Sequence, residues 1–408
     1  MQASEMGHSD YSPPRRLGLF DFMCLGWNCV IGSGIFLTQG DIAKQVGPYG
    51  PLMFLIGGVC CLPIALCFAQ LAQKYHGTGG SSLYAREAFG PRAGFLVGWV
   101  MWLSGLIGLS SVAVGLAEYL HQGSSLACAI VVVLAGVNLL GTRSGALSNN
   151  LLAIIKLGPL LLAAAVGLLH PAQTLWPAAV TTVPNYKLGL LLVLYTYSGF
   201  EEITLAAGEA KDPEKTVPRA TVLVLISSAI IYTLLQGVAG PATAAHPLEA
   251  ALPALAPALA VAALASLASV NASIAFTTPR SLWTLAKQGW MPSRLLQLHH
   301  GAPSLCILIS CGLTMSLILS RNLQALIALS VLAALLQHLA ASLACWQLGL
   351  SRVVPGLAIA TCLLLLCTSE VSHLLGMGAS LLIGAIVSAL VRPKETEPPD
   401  GIGLSPED

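Results

Sequence analysis

Two short segments carry residues able to hold a small polar molecule: Gly32-Ser33-Gly34-Ile35-Phe36 and Tyr197-Ser198-Gly199-Phe200-Glu201. Glycine lowers the cost of leaving helical geometry, and an unwound stretch exposes N–H groups at one end and carbonyls at the other. A pair of such interruptions suits a zwitterion, with a carboxylate on the N–H groups and an ammonium on the carbonyls. Close helix packing through small residues is the competing explanation, and a single Gly-x-Gly would favour it. Two segments, each flanked by aromatics, favour binding. Lys156, in Ile154-Ile155-Lys156-Leu157-Gly158-Pro159, and the Glu201-Glu202 pair are ionisable groups in apolar surroundings. Charge at such places is costly unless it faces a partner or a wet cavity. Snorkelling is the alternative for Lys156, and its depth of about eight residues disfavours it.

These groups point to binding rather than bond-making chemistry. The chain has no HExxH, no paired intramembrane aspartates and no Ser–His arrangement of recognisable spacing, which argues against an enzyme. Nine histidines are scattered, and the adjacent His299-His300 reads as a solvated loop pair. Eleven cysteines, mostly in apolar runs and without a CxxC, read as small buried hydrophobes rather than a disulfide framework or a metal site. A formal net charge of +1 offers nothing to a nucleic acid. No cofactor is expected.

The elements that must position these residues are membrane spans. Only 9% of the 408 residues are charged, 55% are hydrophobic and the mean hydropathy is +0.78. Val46–Gln73, Ala93–Ala117, Ala220–Ala245 and Ala250–Pro279 contain no Asp, Glu, Lys, Arg or His. About 18 such residues suffice to cross the hydrocarbon core as a helix. Apolar runs between polar punctuation predict twelve helices, at about 19–41, 49–72, 92–120, 126–140, 148–169, 188–209, 219–240, 250–285, 304–320, 322–348, 353–369 and 373–391. Both glycine segments then interrupt a span, the first and the sixth. Unwound backbone at that depth is tolerated only where it lines a cavity.

Charge orients the array. With twelve spans, Lys44, Lys187 and Arg321 fall on one side, Lys156 lies inside a span, and the other fifteen of nineteen Lys and Arg fall opposite. The positive-inside rule places both termini in the cytoplasm of a multi-pass cell-membrane protein. The expected organisation is a cytoplasmic tail at 1–16, one transmembrane domain at 17–391 and a charged cytoplasmic tail at 392–408. The N-terminal segment lacks the layout of a signal peptide.

With these segments placed, the chain resembles the amino acid–polyamine–organocation superfamily of transporters. The resemblance rests on Gly32-Ser33-Gly34-Ile35-Phe36, on Gly77-Thr78-Gly79-Gly80-Ser81 with Tyr84 and Phe89-Gly90-Pro91, and on Gly199-Phe200-Glu201. It continues through Glu209-Ala210-Lys211-Asp212-Pro213-Glu214-Lys215-Thr216-Val217-Pro218-Arg219-Ala220, Arg280-Ser281-Leu282-Trp283 and Ala286-Lys287-Gln288-Gly289-Trp290-Met291-Pro292. The last four spans carry no such motif. The resemblance implies an all-α leucine-transporter fold, with two inverted five-helix repeats and two further helices.

By that resemblance, the substrate seat includes Val30, Ile31, Gly32, Ser33, Gly34, Tyr195, Ser198, Gly199, Phe200 and Ile274. Ser33 and Gly34 would hold the carboxylate, Val30 and Ser198 would offer carbonyls to the ammonium, and Tyr195 and Phe200 would border the pocket or gate it. Ile274 falls where guanidinium carriers of the family place a stacking tryptophan. Without an aromatic there a cation loses a π partner, so a neutral amino acid is favoured. Glu201 pulls towards a cationic amino acid or polyamine. Lys156 would stand where sodium-coupled relatives bind the ion, between helices one and eight, and burial favours its neutral form, so it could also cycle a proton. Some relatives carry an acid implicated in proton sensing at the position of Glu201.

The implied function is sodium-independent uptake of a neutral L-amino acid coupled to protons, by alternating access. An exchanger remains beside it, since direction depends on whether the empty carrier can reorient. A non-transporting sensor on the same scaffold is a third reading, against which the retained glycines and lysine speak.

Overall fold

The computed structural model describes residues 17–75, 79–140, 146–169, 184–239, 246–299, 302–319 and 322–391. The two tails at 1–16 and 392–408, Gly77, Thr78 and His300 lie outside the described residues. Eight helices among the described residues are long and apolar enough to cross a membrane, and four shorter apolar helices accompany them. In chain order the spans are Leu19–Leu37, Gly50–Lys74, Pro91–Tyr119, Ser124–Leu139, Ala146–Leu169, Tyr186–Ala207, Pro213–Ala239, Ala256–Lys287, Ser304–Ile318, Leu323–Gln347, Val353–Thr368 and Val371–Leu390. They are called the first to the twelfth span below.

Several boundaries differ from the sequence reading for identifiable reasons. The seventh span starts at Pro213, because proline lacks an N–H that the first helical turn would leave unpaired anyway. The run expected at 250–285 divides into Pro247–Ala251 and Ala256–Lys287, with Pro253 between them unable to continue a helix. A helix not foreseen as its own element, Gly80–Phe89, links the second and third spans. The sixth and tenth spans begin on asparagine caps: Asn185 Oδ1 accepts from Leu188 N–H at 3.1 Å and Asn322 Oδ1 from Ala325 N–H at 3.0 Å. All eleven cysteines are free thiols.

Helix pairing shows the internal repeat. The second span packs most extensively on the seventh, the third on the eighth, and the fourth on the ninth. The third also packs on the tenth as the eighth does on the fifth, and the first on the fifth as the sixth does on the tenth. Exchanging spans one to five with six to ten leaves this pattern unchanged. A unit of five spans ends on the far side of the bilayer, so its second copy runs inverted. The eleventh and twelfth spans lie outside the repeat, and the twelfth is mostly exposed: only 17% of its apolar window is buried. That exposure fits a face turned to lipid, where apolar side chains cost nothing.

Candidate functional site

The first span stops being helical where the glycines stand. Its helix Leu19–Val30 ends, Gly32 N–H turns back to Val30 O at 2.7 Å, and a single turn resumes at Gly34–Leu37. A helix end leaves carbonyls without partners inside it, and these must be satisfied elsewhere at membrane depth. Three other spans do so. Lys156 Nζ on the fifth span donates to Asn28 O at 2.9 Å, and Tyr232 Oη on the seventh donates to Val30 O at 2.7 Å. Ser266 Oγ on the eighth lies 3.2 Å from Ile31 O and 2.9 Å from Gly32 O. Lys156 is completely buried, on a span packed against both the first and the eighth.

The sixth span breaks at the matching place. Helix Tyr186–Tyr197 gives way to Ser198 in an extended conformation and to Gly199 at φ +119°. Residues 200–209 then continue as a narrow helix of three residues per turn, far longer than the usual single turn of that geometry. The two breaks touch. A Cβ at Gly199 would fall 2.7 Å from the carbonyl carbon and oxygen of Cys29, and one at Gly34 would fall 2.6 Å from Thr196 Cα. Tyr232 Oη clamps the pair, because it also lies 3.1 Å from Thr196 O.

A chain of hydroxyls crosses beside the first break. Ser33 Oγ is 3.2 Å from Tyr195 Oη, which is 3.2 Å from Ser111 Oγ on the third span, and Ser111 Oγ donates to Gly108 O at 2.9 Å. Since the Ser111 hydrogen is committed to a carbonyl, Tyr195 donates to Ser111 and Ser33 donates to Tyr195. A carboxylate arriving at Ser33 therefore competes with Tyr195 for that hydroxyl hydrogen. Ile274, half-buried, faces Gly108 at the foot of the same chain. Val30, Ile31, Gly32, Ser33, Gly34, Tyr195 and Ile274 thus gather where the first, third, sixth and eighth spans meet.

Phe200 and Glu201 lie on a different side of the sixth span. Phe200 is completely buried and stacks on His338 of the tenth span, with ring centroids 5.0 Å apart and planes 22° apart. Phe68 of the second span meets both rings edge-on. Glu201 Oε2 accepts from Gly199 N–H at 3.0 Å and stands 3.4 Å from His338 Nε2. Ser198 donates to Leu194 O at 3.2 Å and lines a narrow cavity with Cys61, Tyr197, Phe200, Leu335 and His338. Phe200 is therefore not grouped with Tyr195 and Ile274, although it follows the same break.

Sequence reasoning missed Ser111, Tyr232, Ser266 and His338. The first three are hydroxyl-bearing residues of kinds common throughout apolar helices, and only the fold brings them to the breaks. His338 did carry a signal, because an imidazole inside a long apolar run is costly without a partner.

Known proteins place the chain. It is 25% identical to the methylthioribose transporter of Bacillus subtilis over 322 residues, covering 70% of each chain. It is 28% identical to an uncharacterised transporter of Mycobacterium tuberculosis over 397 residues, covering 84% of this chain and 82% of the other. Its identity to the branched-chain amino acid permease of Bacillus subtilis is 24% over 437 residues, covering 94% of each. The profile of the family described as amino acid permease matches residues 17–387, through both broken spans and both repeats. The chain belongs to that family of membrane transporters, within the amino acid–polyamine–organocation superfamily, and is not an enzyme.

Proposed function

We propose that the protein carries a neutral L-amino acid into the cell by alternating access, together with a proton and without sodium. The observation that supports this most strongly is the meeting of the two breaks. Ser33, Gly34 and Ile35 head a helical turn whose first N–H groups have no partner within it, a seat for a carboxylate. The carbonyls of Val30, which already accepts from Tyr232 Oη, and of Ser198 are assigned to the ammonium. Lys156 supplies a positive charge on the broken first span, the role a sodium ion fills in coupled relatives. Glu201 is the second coupling residue.

Two features favour a neutral cargo. Ile274 offers no aromatic face to a cation. Glu201 is held by Gly199 N–H and faces His338, so its carboxylate is occupied on the side away from Tyr195 and Ile274. The relatives differ in their named cargo, methylthioribose against branched-chain amino acids, and the carboxylate seat agrees with the second. The charge asymmetry of the loops supports a cell-membrane protein with both termini in the cytoplasm, and residues 17–391 forming a single transport domain.

Counterflow in proteoliposomes with a panel of amino acids tests the reading. Labelled neutral L-amino acids are expected to enter against unlabelled internal substrate. Counterflow confined to arginine, lysine or polyamines would replace the neutral cargo with a cationic one.

A further inference from the structure

The residue that no comparison assigns is His338, and its surroundings are those of a site rather than of packing. The imidazole is 4% exposed, Glu201 is 9% exposed, and they come from the first and last spans of the second repeat. His338 Nε2 is a buried nitrogen without a hydrogen-bond partner. It stands 3.4 Å from Glu201 Oε2, beyond the usual range of an N–H···O bond. A buried polar atom left without a partner is costly, so a purely structural histidine here would be expected to close that contact.

We propose that Glu201 and His338 form a proton-binding site coupled to the broken sixth span. This rests on the proton-coupled reading above and adds to it the residue that takes the proton. A hydron from water on one face of the membrane binds the Nε2 lone pair, adding one positive charge. The same hydron leaves to water on the other face, and nothing else is consumed. Once bound, it turns an unmade contact into a charge-assisted hydrogen bond, the stronger and shorter kind. Phe200, stacked beneath the ring at 5.0 Å, presents its π face to the cation that forms. Glu201 Oε2 is also the acceptor for Gly199 N–H, at the one residue of the break with positive φ. Drawing that oxygen towards His338 loosens its hold on Gly199, so proton occupancy is felt at the unwound backbone.

Other titratable groups surround the pair. Glu202 adjoins it on the sixth span, Cys29 faces it from the first, and Cys61 faces it from the second, with Cys362 of the eleventh span beyond. Tyr84 reaches Thr204 from the helix Gly80–Phe89, and Lys156 approaches Cys29 from the fifth span. His338 lines a narrow cavity with Ser198 and Phe200 of the break.

The test compares the wild type with His338→Gln and His338→Asn between about pH 5.5 and pH 8. Its first arm needs no substrate: thermal stability of the purified protein is followed against pH. The wild type is expected to gain stability towards low pH, as the new contact closes, and both variants are expected to lose that gain. In the second arm, counterflow with equal pH on both sides is normalised to each variant's own maximum. The wild-type rate is expected to change at least threefold over the range and the variants to stay nearly flat. Glu201→Gln, which keeps an acceptor for Gly199 N–H, is expected to match them. A wild-type profile retained by both His338 variants in either arm overturns the proposal, as does a wild type that is flat in both. Absence of counterflow with every amino acid would defeat the cargo assignment instead, and the thermal profile would then decide the proton site alone.

Discussion

At Gly34 the first span can resume only because no side chain stands there. A leucine would drive its Cβ into Thr196, whose Cα lies 2.6 Å from that position, and would cover the N–H groups of the new turn. Hydrogen bonds to a charged group are worth about 1.5–3 kcal/mol, so Gly34→Leu is expected to weaken substrate binding by on the order of 100-fold or more. Thermal-shift titration checks this, and wild-type affinity in the variant would remove Gly34 from the site. Gly199 is constrained twice, by φ +119° and by the Cys29 carbonyl 2.7 Å from its would-be Cβ. Gly199→Ala is expected to cost about 1–3 kcal/mol of stability, read as a lowered melting temperature at unchanged expression. Tyr195→Phe breaks the hydroxyl chain and frees the Ser33 hydrogen. If a carboxylate competes for that hydrogen, the variant binds substrate at least as tightly as the wild type, whereas a Tyr195 that contacts substrate directly would lower affinity.

On the scale of elements, the broken helices are held open by their neighbours. Lys156 from the fifth span, Tyr232 from the seventh and Ser266 from the eighth satisfy carbonyls that the first helix has abandoned. Tyr232→Phe removes one hydroxyl from two carbonyls, those of Val30 and Thr196, and is expected to cost about 1–3 kcal/mol. Lys156→Met keeps the length of the side chain and deletes its charge. Accumulation driven by a pH gradient is then expected to fail, while substrate binding, which the lysine does not touch, survives better. Unimpaired pH-driven accumulation by Lys156→Met would reduce Lys156 to a structural cap.

Across the whole molecule, the sequence disclosed what depends on local composition and hid what depends on register between distant helices. Twelve apolar runs were readable because a bilayer demands length and low charge, and both breaks were readable because two glycine segments, each flanked by aromatics, recur five spans apart. The asymmetry of the two sides of the sixth span was not readable. Tyr195 and Phe200 stand five residues apart around a break, and only the fold sends one to Ser33 and Ser111 and the other to Phe68 and His338. His338 lies 137 positions from Glu201, so no spacing rule connects them. Boundaries slipped at prolines, as at Pro213 and Pro253, where the same residue opens one helix and prevents another. The overall array also predicts substrate chemistry. Amides and esters of the cargo lack the carboxylate charge and are expected to compete at least tenfold more weakly than free acids in binding assays. Equal competition by an amide would point to recognition of the amine alone.

The central claim, sodium-independent amino acid transport driven by protons, is tested most directly by uptake of a labelled neutral L-amino acid into proteoliposomes in sodium-free buffer under an inward proton gradient. One pH unit stores about 1.4 kcal/mol, enough for about tenfold accumulation at one proton per substrate. The predicted result is accumulation above equilibrium that follows the gradient, collapses with a protonophore and is unchanged when sodium is added. Uptake that requires sodium, or exchange that never exceeds equilibrium whatever the gradient, would contradict it.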